Sequence, residues 1–562
     1  MSNKTLTLLM GFVAFLILVV GGIFIAVAVG GGGDDNGTPS SPGDQPGRTS
    51  TPGSGNSSAS AICKGNSLIL VGSEPNSVFD PIQVGDQATS EYMVEIFGGL
   101  VTLDTKLEII PDLAEKWDIS PDGKVYRFKL KNNIVFHNST RVTARDVKYS
   151  IERAADPANA SPTAKAYLGR IQGLTEKLDG KAKEVSGVKV IDDLNIEITL
   201  TEPEDFFLAE LTYPVAYVVD QKQIENDPRN WTRKPNGTGP FKVAEYKPQE
   251  VIRLVRNDRY HLGAPKLDEL VFELAGGSVS TRYDNNELHV GNVTQQILEE
   301  IAGGSAPSSK DYRAVNELAV SYFTLNTKQA PFDDPKVRQA FASAIDRDNI
   351  NKVLLYDAYK VADGILPPDM PGYSESVSSY KYDPAKAKQL LSESRYASNM
   401  PRIIMTYSGG GGSSPDVLVA ITTGWQEVLG VKVELQAVET AAFLRELRRG
   451  TFQMASEGWA ADYPDPENFL GKLFASDSPL NYTKYKNDEV DALLKQARRE
   501  TNRETRLGLY HEAEQKILDE ASVLPIFWPV NHVLVKPCVI NYPNVAMTVE
   551  KYRLVEIDPN AK

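Results

Sequence analysis

The residue types best suited to chemistry gather in one stretch, 452–469, which reads FQMASEGWAADYPDPENF. Asp462 directly follows an apolar, strand-like run and stands beside Trp459 and an exposable Tyr463. An acid so placed is what a pocket for a cationic group needs, because a carboxylate drawn out of water is stable only with a counter-charge and hydrogen bonds. The competing reading is a strand and a proline-rich surface turn, in which Asp462 merely bonds nearby backbone N–H groups.

No bond-breaking set accompanies this acid. There is no Gly-x-Ser-x-Gly elbow. The run His511-Glu512-Ala513-Glu514-Gln515 lacks the second histidine of a zinc-protease helix. The five histidines (His137, His261, His289, His511 and His532) show no metal-ligand spacing, so neither a metal nor a cofactor is expected. Gly237-Thr238-Gly239 lacks the lysine and the helix of a phosphate loop. Ile345-Asp346-Arg347 reads as a structural pair near a helix end. The four glycines 409–412 read as a turn, or as a helix start whose N–H groups meet an anion. Binding rather than catalysis is the expectation.

The elements that must position Asp462 follow from size and patterning. A chain of 562 residues exceeds one core, so two or more domains are expected. The formal net charge of −14 and the lack of a basic block exclude a nucleic-acid partner held through phosphates. Residues 6–29 carry no charge and follow Lys4. As a helix they span roughly 36 Å, enough to cross a bilayer. Residues 1–30 therefore read as an N-terminal transmembrane helix, with the body on the extracytoplasmic side. The small residues Ala26 and Ala28 keep signal cleavage, and a secreted or periplasmic protein, as the alternative. Residues 31–62 are rich in Gly, Ser, Pro and Thr and read as a disordered stalk with a reach of roughly 30 Å. The only two cysteines, Cys63 and Cys538, stand near opposite ends of the body. In an exported protein they either form one disulfide or remain two thiols.

The body alternates strands and helices. A buried strand is expected from Ser67. A helix capped by Ser90 follows, then an alternating strand from Val125 and a helix capped by Thr143. Later come a helix over 384–392, a strand from Ile403 and a helix over 415–429 with Val417, Leu418, Ile421, Trp425, Val428 and Leu429 on one face. A strand over 431–438 and helices over 441–449, 489–499 and 503–521 complete the pattern. In order, GGLVTLD, IIPDLAEKWDISPDGKVYRFKLKNNIVFHN, VTARDVKYSIERAADP, the GTGP at 237–240 with the RN..Y at 256–260, GTFQMASEGWAADYPDPENF and LPIFWPVNHVLVKP form a series. This series resembles the extracytoplasmic solute-binding proteins of peptide ABC importers, the oligopeptide- and dipeptide-binding type. Asn138 departs from the family, which often has Asp-Gly there.

The resemblance covers roughly 64–560 and implies an α/β, two-lobed, periplasmic-binding-protein-like fold that closes about a hinge. Lobe 1 would comprise 63–273 and 525–562, and lobe 2 would comprise 274–524, with crossovers near Phe272-Glu273 and Ile526-Phe527. The implied role is a monomeric receptor that delivers peptides to ABC permease subunits and their ATPases, membrane-bound through its N-terminal helix. By the same resemblance Asp462 pairs with the peptide α-ammonium, and 458–461, including Ala460 and Ala461, hydrogen-bond its main chain. Trp459, Tyr463 and Trp528 would line side-chain pockets, with Tyr322, Phe323, Asn326 and Tyr167 on the opposite side. Some relatives have a basic residue shortly before the Gly-Trp pair, where this chain has Ser456 and Glu457. The ligand carboxylate is then met by another cation or left in water, or the ligand is a nickel chelate, a sugar or another solute. A tethered sensor or adhesion module is the reading from a different class.

Overall fold

The computed structural model describes residues 61–75, 79–304, 310–409, 415–549 and 551–561. The expected anchor, nearly all of the expected stalk and most of the glycine run at 409–412 lie outside the described residues. No helix among the described residues is long and apolar enough to cross a membrane.

The fold has two α/β lobes. In the first, Ser67–Val71 pairs in parallel with Glu269–Glu273, which pairs antiparallel with Val251–Arg256 and, through it, with Phe241–Lys247. A second four-stranded sheet runs in the order Ala114–Ile119, Val125–Leu130, Asn195–Thr199, Val188–Val190. The helix Ala144–Ala154 starts at Thr143 with a reciprocal capping box closed by Asp146. Where Ser90 was expected as a cap, the helix is Gln87–Ile96 and Asp86 caps it. The Asp86 carboxylate accepts from the backbone N–H of Thr89 at 2.9 Å, an ionised acceptor in place of a hydroxyl. Gly237 and Gly239 have a packing role. A Cβ at either would fall 2.0 Å or 2.5 Å from the carbonyl oxygens of Ile96 and Glu95, so only glycine lets this turn touch the helix end.

The second lobe is built on a six-stranded sheet in the order Lys360–Val361, Val523–Trp528, Ala319–Leu325, Met454–Ala460, Ile403–Ser408, Val433–Val438. Apolar cores cover both faces. Phe323, Leu325 and Met454 face one core with Trp425 of the helix Asp416–Leu429. Val320, Tyr322 and Trp528 face the other, beneath the helices Glu467–Phe474, Asp488–Arg499 and Arg503–Asp519. This period-two split follows from the pleat.

The chain leaves the first lobe's sheet after Glu273 and comes back late. Ile526 and Phe527 lie inside the six-stranded sheet. The strand run breaks at Pro529, and Val530–Val535 then pairs with Val290–Asn292 and Tyr312–Asn316 in a small separate sheet. Cys63 and Cys538 are joined by a disulfide with Cα atoms 6.0 Å apart, tying the start of the body to this returning segment.

Candidate functional site

The strand Met454–Ala460 pairs along its whole length with Ala319–Leu325, from Met454 opposite Leu325 to Ala460 opposite Ala319. Its other neighbour, Ile403–Ser408, meets only Met454, Ala455 and Ser456. Among the described residues, 457–460 are therefore strand-paired on one side only, which leaves an edge that another extended backbone can join. One further hydrogen bond, from Ala461 N–H to the Leu318 carbonyl at 2.7 Å, carries the pairing past the strand end. Two prolines then stop it, since neither can donate to a ladder. Asp465 accepts from Glu467 N–H at 2.9 Å, and the helix Glu467–Phe474 begins after Pro466. Asp462 sits in this corner between strand and helix.

Two side chains hold it by hydrogen bonds, one from each lobe. Asn468, fully buried in the first turn of that helix, accepts from Asp462 N–H at 3.1 Å and from the Trp459 indole N–H at 3.0 Å. Its amide also donates to the Asp462 carboxylate at 3.4 Å. From the other lobe the Tyr167 hydroxyl donates to the same carboxylate oxygen. Tyr167 lies in the helix Ala164–Leu168 and stacks flat on Tyr213, with ring centroids 4.2 Å apart. Burial pushes the Asp462 carboxyl up to about 6, against the opposing pull of the Tyr167 and Asn468 hydrogen bonds and the Lys472 charge. Burial, then the Asp462 charge, raises the Tyr167 phenol well above its ordinary range, so it stays a donor.

Beside this carboxylate an ionic cluster joins the two lobes. The Lys472 ammonium lies 2.6 Å from Glu210, 4.0 Å from Glu467 and 4.9 Å above the Tyr167 ring, and donates to the Ala166 carbonyl. Burial works against its charge, but Glu210 and Glu467 outweigh it and hold its pKa above the ordinary value. Arg498 approaches Glu467 to 3.3 Å. Arg506 grips Asp465 with two hydrogen bonds of 2.8 and 2.7 Å, and its guanidinium lies 5.9 Å from the ring of Phe206 in the first lobe.

The sequence-expected residues divide into groups. Asp462, Tyr167, Trp459, Ala460 and Ala461 come together at the corner. Tyr463 is fully buried rather than exposable. It stacks near-parallel on Phe206 at 6.2 Å and donates to Glu467 at 2.6 Å, so it packs one lobe against the other. Tyr322 is buried directly opposite Glu457. Phe323 points to the opposite face of the sheet, edge-on to Trp425. The Asn326 amide is occupied by the carbonyls of Gly450 and Phe452, both at 3.0 Å. Trp528 packs edge-on against Tyr373 and borders a cavity of about 330 Å³, with Asp363, Leu366 and Glu514 also in its wall. Sequence reasoning passed over Asn468, Lys472, Glu210 and Tyr213. Only Asn468, six residues after the acid at the start of a helix, carried a local signal. Among the described residues no group of three or more acidic, His or Cys side chains is arranged to hold a metal ion.

Comparison with known proteins adds kinship to this geometry. A model of the bacterial extracellular solute-binding proteins, family 5 Middle, matches residues 108–481. The periplasmic oligopeptide-binding protein OppA of Escherichia coli strain K12 is 32% identical over 485 residues, which cover 84% of this chain and 88% of that protein. Among solved structures, the Escherichia coli murein tripeptide binding protein MppA aligns with a TM-score of 0.78 at 26% identity, covering 89% of this chain and 99% of its own. The unliganded open form of MppA aligns with a TM-score of 0.68 at the same identity, over 88% of this chain and 98% of its own. Haemophilus influenzae OppA in complex with RPPGFSPFR aligns at 0.75, with 26% identity, over 88% of this chain and 99% of its own.

Proposed function

Because the chain belongs to the family 5 bacterial extracellular solute-binding proteins, we propose that it is the extracytoplasmic receptor of an ABC importer, capturing oligopeptides between its lobes and passing them to a membrane permease. The observation that carries this reading is Asp462. It is a carboxylate at the end of a strand with a free edge, held from both lobes and raised in pKa by burial. A peptide offers the matching groups in one molecule: an α-ammonium for the acid and a main chain for the edge. Main-chain pairing gives affinity without regard to side chains, which suits a nutrient receptor.

Tyr167 on Asp462, Lys472 on Glu210 and Tyr463 on Phe206 all cross the cleft, and such contacts belong to closed lobes. The lower score against the open form of MppA fits the same reading. In it, lobe 1 comprises 63–273 with the C-terminal segment, lobe 2 begins at 274, and the return passage lies at Pro529. Hinge closure would assemble the Asp462 corner from both sides. Residues 1–30 would anchor a monomeric body to the membrane through the 31–62 stalk, raising its effective concentration near the permease. The proposed role is delivery without turnover, as the kinship with binding receptors supports.

The test is native mass spectrometry of the full-length chain as purified, followed by calorimetry with unmodified tri- to pentapeptides. Stoichiometric peptide binding is expected. A co-purified sugar, chelate or other non-peptide solute, with no binding of any peptide length, would overturn the proposal.

A further inference from the structure

The Asp462 corner leaves one carboxylate of the same strand unexplained. Glu457 lies five residues before Asp462, at the start of the free edge, directly opposite Tyr322. Cross-strand partners in this register have Cβ atoms about 5 Å apart, so the acid stands against the Tyr322 ring. Its Oε1 is buried and has no hydrogen-bond partner. A hydrogen bond with Thr324 is the single interaction that favours its charge, and no Lys or Arg among the described residues does so. Tyr482 completes the surroundings. Its phenol, like that of Tyr322, is raised first by burial and then by the Glu457 charge, while the exposed Arg448 reaches Tyr482 rather than the acid. A buried carboxylate that lacks a cation is costly, and a ligand cation would remove that cost.

Resting on the peptide reading above, we infer that Glu457, Tyr322 and Tyr482 form a second recognition site, which takes the cationic side chain of a lysine or arginine in the bound peptide. The carboxylate supplies the counter-charge and the two phenol rings supply faces that attract a cation. Asp462 lies five positions after Glu457, two past the strand end at Ala460, roughly 16 Å along an extended chain. A ligand whose ammonium sits at Asp462 thus brings its third to fifth residues within side-chain reach of Glu457. The receptor then selects basic peptides through two acids, one for the terminus and one for a side chain. Burial lifts the Glu457 carboxyl to about 7, so roughly half of it carries a proton at neutral pH. Pairing with a ligand cation expels that proton.

The experiment is calorimetry of the full-length chain at pH 7 with pentaalanine and with pentapeptides carrying a single lysine or norleucine at position 3, 4 or 5. At one of these positions lysine is expected to bind at least tenfold more tightly than norleucine, with a ratio close to one in Glu457→Gln. Repeating the titrations in buffers of different ionisation enthalpy counts protons without any variant. The lysine peptide should release about half a proton more than its norleucine twin, from a group half-protonated at that pH. If pentaalanine binds while lysine and norleucine match in affinity and proton release at all three positions, the second site is wrong and the peptide receptor stands. If no pentapeptide binds, the peptide reading falls and this inference falls with it.

Discussion

Replacing Asp462 by asparagine separates its charge from its shape. The ordinary carboxyl value is 3.8, and in this corner it rises to about 6. At about 1.4 kcal/mol per pH unit, keeping the charge here costs about 3 kcal/mol. A ligand ammonium that pairs with the carboxylate recovers that cost, and close charge pairs at interfaces couple by roughly 1.5–7 kcal/mol, so about 3 kcal/mol lies within that range. Asp462→Asn is therefore expected to weaken a free-amine peptide by about 100-fold. The N-acetylated form of the same peptide should bind wild type and variant within a few-fold of each other. This comparison matters because asparagine also disturbs the Tyr167 contact between lobes, a loss that both peptides share. Calorimetry on the four combinations yields the coupling directly. The charge should also show in pH. Between pH 7.5 and 5, nine-tenths of a carboxyl titrating near 6 becomes protonated, so free-amine affinity should fall about tenfold while acetylated affinity stays level. A coupling below about 0.5 kcal/mol, within the error of additivity, would refute the ammonium role.

Two further expectations concern stability. Arg506→Ala strips the two-pronged partner from Asp465, whose pair is buried on the arginine side (6% exposed), and should cost about 3–5 kcal/mol by urea denaturation. An unchanged midpoint would mean that water replaces the guanidinium. Glu514 is buried, accepts from the N–H groups of Ile365 and Leu366, and is pushed up to about 7 by burial. Its native pKa exceeds the unfolded value near 4.5, so the folded chain holds a proton that the unfolded chain has lost. That stability is complete below about pH 4.5 and disappears as pH rises through 7. Between pH 5.5 and 8 wild type should lose about 2 kcal/mol more than Glu514→Gln, measured by denaturant titration at both pH values.

The layers of the fold were legible because their signals are local. Pro384–Ser392 has a proline at its first position, the acid Asp383 as its cap and apolar residues at helical spacing, and the observed bounds coincide with those expected. The face of Asp416–Leu429 was readable for the same reason. Boundaries slipped where two groups compete for one role. Asp86 displaced Ser90 as a cap, and the return strand continues past Ile526 to Trp528 before it breaks at Pro529.

The sequence by itself determined that an acid follows a strand and precedes a proline corner, and that its neighbours are aromatic. Only the tertiary structure decided what that acid meets. Tyr167 is 295 residues from Asp462, and Lys472 is 262 from Glu210. Periodicity tells which face of an element is apolar but not which element will lie against it. The same limit explains Tyr463, whose surroundings in sequence are a turn and whose surroundings in space are the other lobe. It also explains Glu457. Its Oε1 is buried, and the Tyr322 and Tyr482 phenols that feel its charge come from separate parts of the chain. A charge acquires its chemistry from the groups that replace its water, and folding alone assembles those groups.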